Sequence, residues 1–241
     1  MGPTVRWVAP SHATYLTNPL MTRIATTLTF MLLAAGSARA QLSVQLGANF
    51  ATLSTQQNDS YRRATADGQP GYHLGLGYER RLTQRLALYS ELQFSRQRVQ
   101  LAVEDNSISD GYYDSRYRLG LSYLHLPVLL RANFGPTYVE AGPQASCLLA
   151  AHERGTESLS TLGGAYQVSF ARPATDRYRR FDAGLCVGAG VRLPAGFGLG
   201  LRASAGLVSL THFSQPIGSF RGELKNRAVQ VSLSYRFKSG S

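Results

Sequence analysis

From Leu42 to Phe237, apolar and polar residues alternate with period two in one segment after another. In the last segment Val229, Val231, Leu233, Tyr235 and Phe237 share one face, while Gln230, Ser232, Ser234 and Arg236 share the other. Strand side chains point alternately to opposite sides, so each segment reads as a strand with one apolar and one polar surface. Eight such segments are expected, at about 41–53, 71–82, 86–103, 117–132, 137–150, 181–193, 197–210 and 226–237. The separators alternate in length. Residues 54–69, 104–116, 151–180 and 211–225 are long, while 83–85, 133–136 and 194–196 are short. That rhythm, with a greasy outer face, describes an all-β protein: an eight-stranded antiparallel up-and-down transmembrane β-barrel.

A soluble β-sandwich or a lipocalin-like barrel shows the same alternation with its apolar set inside. Period alone does not separate the two. The set expected to face inward contains Glu79, Glu91, Glu140, Asp182, Arg131, Arg192, Arg202 and Arg236 among many glycines; the other is mostly Leu, Val, Ala, Phe and Tyr. Tyr78, Phe134, Tyr138, Phe197, Tyr235 and Phe237 fall near the short turns, where a barrel carries an aromatic girdle. Pro127 inside a segment predicts a local bulge.

An export signal supports the membrane reading. Met21-Thr22-Arg23 precedes the apolar run 24–35 and the ending Ala38-Arg39-Ala40. A basic start, a short apolar core and an Ala-x-Ala end describe a signal peptide cleaved before Gln41. The run is too short for a membrane helix, which needs about 20 residues. The expected organisation is an upstream extension at 1–20, a signal peptide at 21–40 and one barrel domain at 41–241. The net charge is +11; Arg6, Arg23 and Arg39 precede Gln41 without any acid, so most of the excess belongs to the barrel. In an exported chain this favours anionic headgroups and lipopolysaccharide phosphates over nucleic acid.

Cys147 alternates with the outward set and Cys186 with the inward set, so two free thiols are expected rather than a disulfide. Neither has metal-ligand spacing around it, and the glycines at 184–190 lack the strand-turn-helix context of a phosphate loop. No cofactor is expected.

Four stretches carry a family resemblance: Tyr123-Leu124-His125-Leu126-Pro127, Tyr138-Val139-Glu140-Ala141-Gly142-Pro143, Asp182-Ala183-Gly184 with Gly188-Ala189-Gly190, and the ending Tyr235-Arg236-Phe237. Their order and spacing resemble the outer-membrane β-barrel family of Bacteroidota, the porin-like or PorT-type barrels. The resemblance implies an outer-membrane barrel, in a family where a minority serve protein secretion. The four residues after Phe237 depart from barrels that end on the aromatic residue itself.

A ring of eight strands encloses a lumen that side chains fill, so a structural or surface-binding role is expected rather than an open pore. The eight inward charged residues are expected either to form an ionic plug or to sit singly in lumenal water. The alternatives are a small-solute porin, a secretion-associated barrel, or a lipid A deacylase-like enzyme. The enzyme would draw on His73, His125, His152, His212, Ser209 or Ser214, but their spacing shows no triad. No catalytic residue is therefore expected. The expected partners are outer-membrane lipid, lipopolysaccharide and the barrel-assembly machinery, around a monomer. The Tyr- and Arg-bearing loops (Tyr61-Arg62-Arg63, Tyr112-Tyr113-Asp114, Asp176-Arg177-Tyr178) have the composition of binding surfaces.

Overall fold

A computed structural model of the chain describes residues 40–56, 62–105, 111–161, 164–210 and 223–237. The chain divides into Met1–Ala38 and Arg39–Ser241. The first unit, with the expected extension and nearly all of the signal peptide, lies outside the described residues. So do Tyr61, His212 and Ser214.

Alternation builds nine strands: β1 (Ala40–Gln56), β2 (Arg62–Arg81), β3 (Leu86–Asp105), β4 (Gly111–Phe134), β5 (Thr137–Thr161), β6 (Gly164–Pro173), β7 (Phe181–Arg192), β8 (Phe197–Gly206) and β9 (Glu223–Arg236). All pairings are antiparallel, and β1 pairs with β9 from Ser43↔Arg236 to Gln56↔Glu223, which closes a ring of eight. The ninth strand, β6, lies inside the longest expected loop, where it folds back on the upper part of β5 (His152↔Pro173 to Thr161↔Gly164). Below it, β5 exchanges that partner for β7 (Thr137↔Val191 to Cys147↔Phe181). Short turns close the other end. Gly135 at φ 63° and Gly196 at φ 88° take the left-handed conformation these turns demand, and Ala195 at φ 60° takes it without a glycine's freedom.

Several strands are far longer than the 9–11 residues a tilted span needs, and polarity inverts along them. On β3 the outward residues run Leu88, Leu92, Phe94 and then Arg98, Gln100; the inward ones run Glu91, Gln93, Ser95 and then Val99, Leu101. On β4 the outward Leu130, Val128, Leu126 and Leu124 give way to Gly120, Arg118 and Arg116, while Leu121, Leu119 and Tyr117 turn inside. The lower barrel is thus apolar outside and polar inside, as lipid requires, and the upper collar is built like a water-soluble protein. From Leu86, Arg98 stands roughly 30 Å higher at about 2.5 Å per tilted residue, just past an apolar band about 25 Å tall.

Two bulges reset the faces. The β2–β3 register shifts between Gln69 and Tyr72, beside Pro70-Gly71. The β4–β5 register shifts between Ser122 and Tyr123, so that Leu148 and Ala151 both point inside and Glu153 follows them. Pro127 carries no bulge: the registers with β3 and β5 resume unchanged on both sides of it. Its missing N–H is absorbed without inserting a residue.

Cys147 is half-buried on the outward face and Cys186 buried on the inward face; both are free. They pair with Phe181 and Gly142 respectively, on different rungs. Thiol titration of denatured, unreduced protein should therefore count two thiols, and a count of none would contradict the facing.

Candidate functional site

The lumen is filled at two heights by different chemistry. At the turn end, six of the charged residues named above join in one chain of alternating sign. Arg192 donates to Glu79 at 3.0 Å, and Arg131 reaches Glu79 at 2.5 Å. Arg131 also holds Glu140 through Nε and Nη2, at 3.0 and 2.7 Å. Arg202 then holds Glu140 Oε1 at 3.1 and 2.9 Å and Glu91 Oε2 at 2.9 Å. Three carboxylates meet three guanidiniums, so the chain is neutral. Its members other than Arg192 are buried.

Register explains why these residues meet. Arg131 and Glu140 are direct cross-strand partners on β4 and β5. Gly188 stands opposite both Glu140 and Arg202, and a Cβ there would lie 3.1 Å from Glu140 Oε1. The absent side chain lets Arg202 cross β7 to reach its carboxylate. The Arg131 guanidinium is also sandwiched between the Tyr89 and Tyr138 rings, 3.9 and 4.1 Å from their centroids. Tyr138 therefore faces the lumen and is not part of the girdle. Its position next to the outward Val139 carried that signal, since neighbours in a strand face opposite ways. Phe134, Phe197, Tyr235 and Phe237 do lie exposed on the outside at this end.

Asp182 and Arg236 stand outside the chain. Asp182 accepts the Val208 N–H at 3.2 Å and pairs in register with Ser146, six residues up β5 from Glu140, or about 20 Å along the strand. Arg236 stays at the mouth and donates to Gln41 Oε1 at 3.2 Å. Facing inward was not enough to bring these two into the network, because height also decides. Inside the lumen a cavity of about 30 Å³ lies among Glu79, Tyr89, Arg131, Arg192 and Ser234, room for little more than a water.

Above the ionic layer, His125 lies between Ser95 Oγ at 2.9 Å and Ser146 Oγ at 2.8 Å, and Tyr123 stacks on its ring. His125 is only 2% exposed, and neither of its ring nitrogens bonds a carboxylate. A Ser–His contact in such a place has neither an orienting acid nor an approach for substrate. His73 is buried nearby and His152 is exposed on the outer face.

The outer height is apolar. Leu53, Leu101, Leu119, Leu121, Leu148, Leu210 and Leu224 pack as one cluster with Tyr117, Tyr123 and Tyr178. Tyr178 and Ala174 come from the strap between β6 and β7, which contains a short 3-10 turn (Thr175–Arg177) and bonds β5 on one side and Leu210 on the other. The strap is tied down by Ala174 N–H to Ala151 O at 2.9 Å and Arg179 N–H to Leu210 O at 2.8 Å. Its charged latch is Glu153, 1% exposed, which accepts from Tyr178 at 2.9 Å, Arg177 at 2.8 Å and Arg172 at 3.1 Å. Burial, with Tyr117 and Glu153 nearby, pushes the Tyr178 phenol well up, so it remains a donor. Glu153 falls within residues 151–180, which the alternation predicts as a loop. Only the bulge that turns it inside reveals it.

Residues 29–212 match the family model for the outer membrane protein beta-barrel domain. Among solved structures, the chain is similar to Ail, the attachment invasion locus protein of Yersinia pestis, at 14% identity over 82% of this chain and 99% of that one, with a TM-score of 0.35. It is similar to Neisserial surface protein A at 11% identity over 82% and 99%, with a TM-score of 0.41. Against the outer membrane protein OprG from Pseudomonas aeruginosa the figures are 10% identity, 84% and 99% coverage, and a TM-score of 0.40. No curated protein matches the chain in sequence.

Proposed function

Because this chain belongs to the outer membrane protein beta-barrel domain family, we propose that it is a closed outer-membrane barrel that works as a scaffold and binding surface and does not conduct. What supports this is the double filling of the lumen: a neutral ion-pair chain at the turn end and an apolar cluster, with Tyr178 of the strap among its members, at the other. A path for solute would have to break both. Breaking a buried ion pair alone costs about 3–5 kcal/mol. The porin reading needs an opening that this packing works against, and the deacylase-like reading needs a reachable nucleophile and base. We take the protein to be non-enzymatic and monomeric, inserted by the barrel-assembly machinery among outer-membrane lipid and lipopolysaccharide. A PorT-type barrel is part of that proposal, supported by the resemblance of the four sequence stretches named above.

In planar bilayers the purified protein should leave the baseline conductance unchanged. Large, steady current steps would overturn the closed-lumen reading.

A further inference from the structure

We infer that the outer wall of β3, β4 and β5 carries a lateral binding site for a phosphorylated glycolipid of the outer leaflet, centred on Arg98, Arg118 and Arg154; this rests on the outer-membrane barrel proposed above, with its short turns in the periplasm and its long connections outside. Arg118 and Arg154 are direct cross-strand partners, and Arg98 stands opposite Gly120, one outward position below Arg118. All three side chains point outward and are exposed. Two like charges directly opposite one another destabilise a sheet, and side chains so placed lie about 4.5–5.5 Å apart at Cβ. Nearby Arg116 has Asp114 at 3.3 Å, and Arg96 donates to Ser122 Oγ at 2.5 Å. Among the described residues, Arg98, Arg118 and Arg154 have no ion pair. An anion set between them removes the repulsion and receives several charge-assisted hydrogen bonds.

The surroundings select what kind of anion. Gly120 has no side chain, and the Arg96 guanidinium takes that room, 3.0 Å from where a Cβ would stand, adding a fourth cation at the edge of the patch. Below the patch the same strands turn apolar at Phe94, Leu124 and Leu149. The guanidiniums therefore stand at the upper edge of the lipid-facing band, where headgroup phosphates lie and acyl chains run down the wall. On the opposite flank, β7 and β8 stay apolar on the outside up to Phe181 and Leu207. Arg227 on β9 and Arg180 beside β7 are exposed as well, but Arg98, Arg118 and Arg154 are brought together by register. That geometry fits an amphiphile with phosphate on a sugar head better than it fits a uniform interfacial ring.

The full chain in phosphatidylcholine nanodiscs, offered bis-phosphorylated lipid A, dephosphorylated lipid A or inorganic phosphate in separate arms, tests this by native mass spectrometry. Bis-phosphorylated lipid A should be retained, with an apparent affinity roughly tenfold or more above the dephosphorylated form. The triple variant Arg98→Gln, Arg118→Gln, Arg154→Gln should lose that preference, whereas Arg227→Gln on β9 should keep it. Equal retention by the triple variant and the wild type would overturn the site. Inorganic phosphate occupying the protein as well as the lipid does would overturn the lipid as occupant. A second readout separates binding from folding: Arg154→Gln should melt at or above the wild type in detergent alone and below it when lipid A is added. The same ranking in both conditions would also overturn the proposal. If the wild-type protein partitioned into the aqueous phase without detergent, the membrane orientation itself would fail, a result distinct from loss of this site.

Discussion

Replacing Arg202 with Met is expected to lower the free energy of unfolding by about 3–5 kcal/mol, because it leaves the buried Glu91 without its cation. Glu140 keeps both of its bonds to Arg131. Glu91 keeps only the Tyr89 hydroxyl, at 3.4 Å, while its side chain is fully buried. The loss therefore falls mainly on Glu91. Adding Glu91→Gln to the Arg202→Met background should recover a large part of it, a coupling that two independent sites would not show. A urea titration of the folded form in detergent, followed by the shift between folded and unfolded bands on an unboiled gel, measures both effects. Identical midpoints for wild type and Arg202→Met would mean that the charges are solvated singly. Replacing the residue by Lys should restore less than its charge suggests, since one ammonium cannot fork to Glu91 and Glu140 together.

The second large effect is expected at the other end. Tyr178→Ala removes a ring that is 1% exposed and takes away one of three donors to Glu153. Truncating a buried aromatic costs about 3–5 kcal/mol, and here the penalty falls on a strap fastened by few backbone bonds. Its local opening should bear most of the cost, and the eight-stranded ring rather less. The amides of Ala174 and Arg179, both hydrogen-bonded in the strap, should exchange with solvent about a hundredfold to a thousandfold faster. Trypsin should cut sooner at Arg177, Arg179 and Arg180. Unchanged exchange at Ala174 would mean that the ring does not hold the strap down. The variant should still not conduct, because the ionic layer beneath it is untouched.

The alternation disclosed the ring and its inner and outer faces, because period two is a local property and survives without knowledge of neighbours. Glu79, Arg131 and Glu140 were found inside for that reason. What the alternation could not express was height. Asp182 shares the inward parity of Arg192, yet it sits too far up its strand to join the same network. Contact between Arg202 and Glu91 bridges 111 positions and exists only when the ring closes. The inversion on β3 was written in the residues: Leu92 and Phe94 are even-numbered, Val99 and Leu101 odd-numbered. Taken as one strand with one greasy side, that change of phase was invisible. Glu153 was hidden by the Leu149–Ala150 bulge, which turns over every side chain beyond it. Tyr138 is the opposite case: its residue type and rim position suggest the girdle, but its parity turns it to Arg131 in the lumen.

The polarity reversal along β3 and β4 also bears on how the protein enters its membrane. Arg98, Arg116, Arg118 and Arg154 must cross the hydrocarbon before they can emerge on the far side. Each arginine at the bilayer midplane costs about 2–4 kcal/mol, so the translocation barrier grows with every one carried through. Unaided insertion should consequently be slow in thick, well-ordered bilayers and quicken in thin or defect-rich ones. Once the guanidiniums have reached the far headgroups, the same barrier opposes their return and keeps the barrel from backing out.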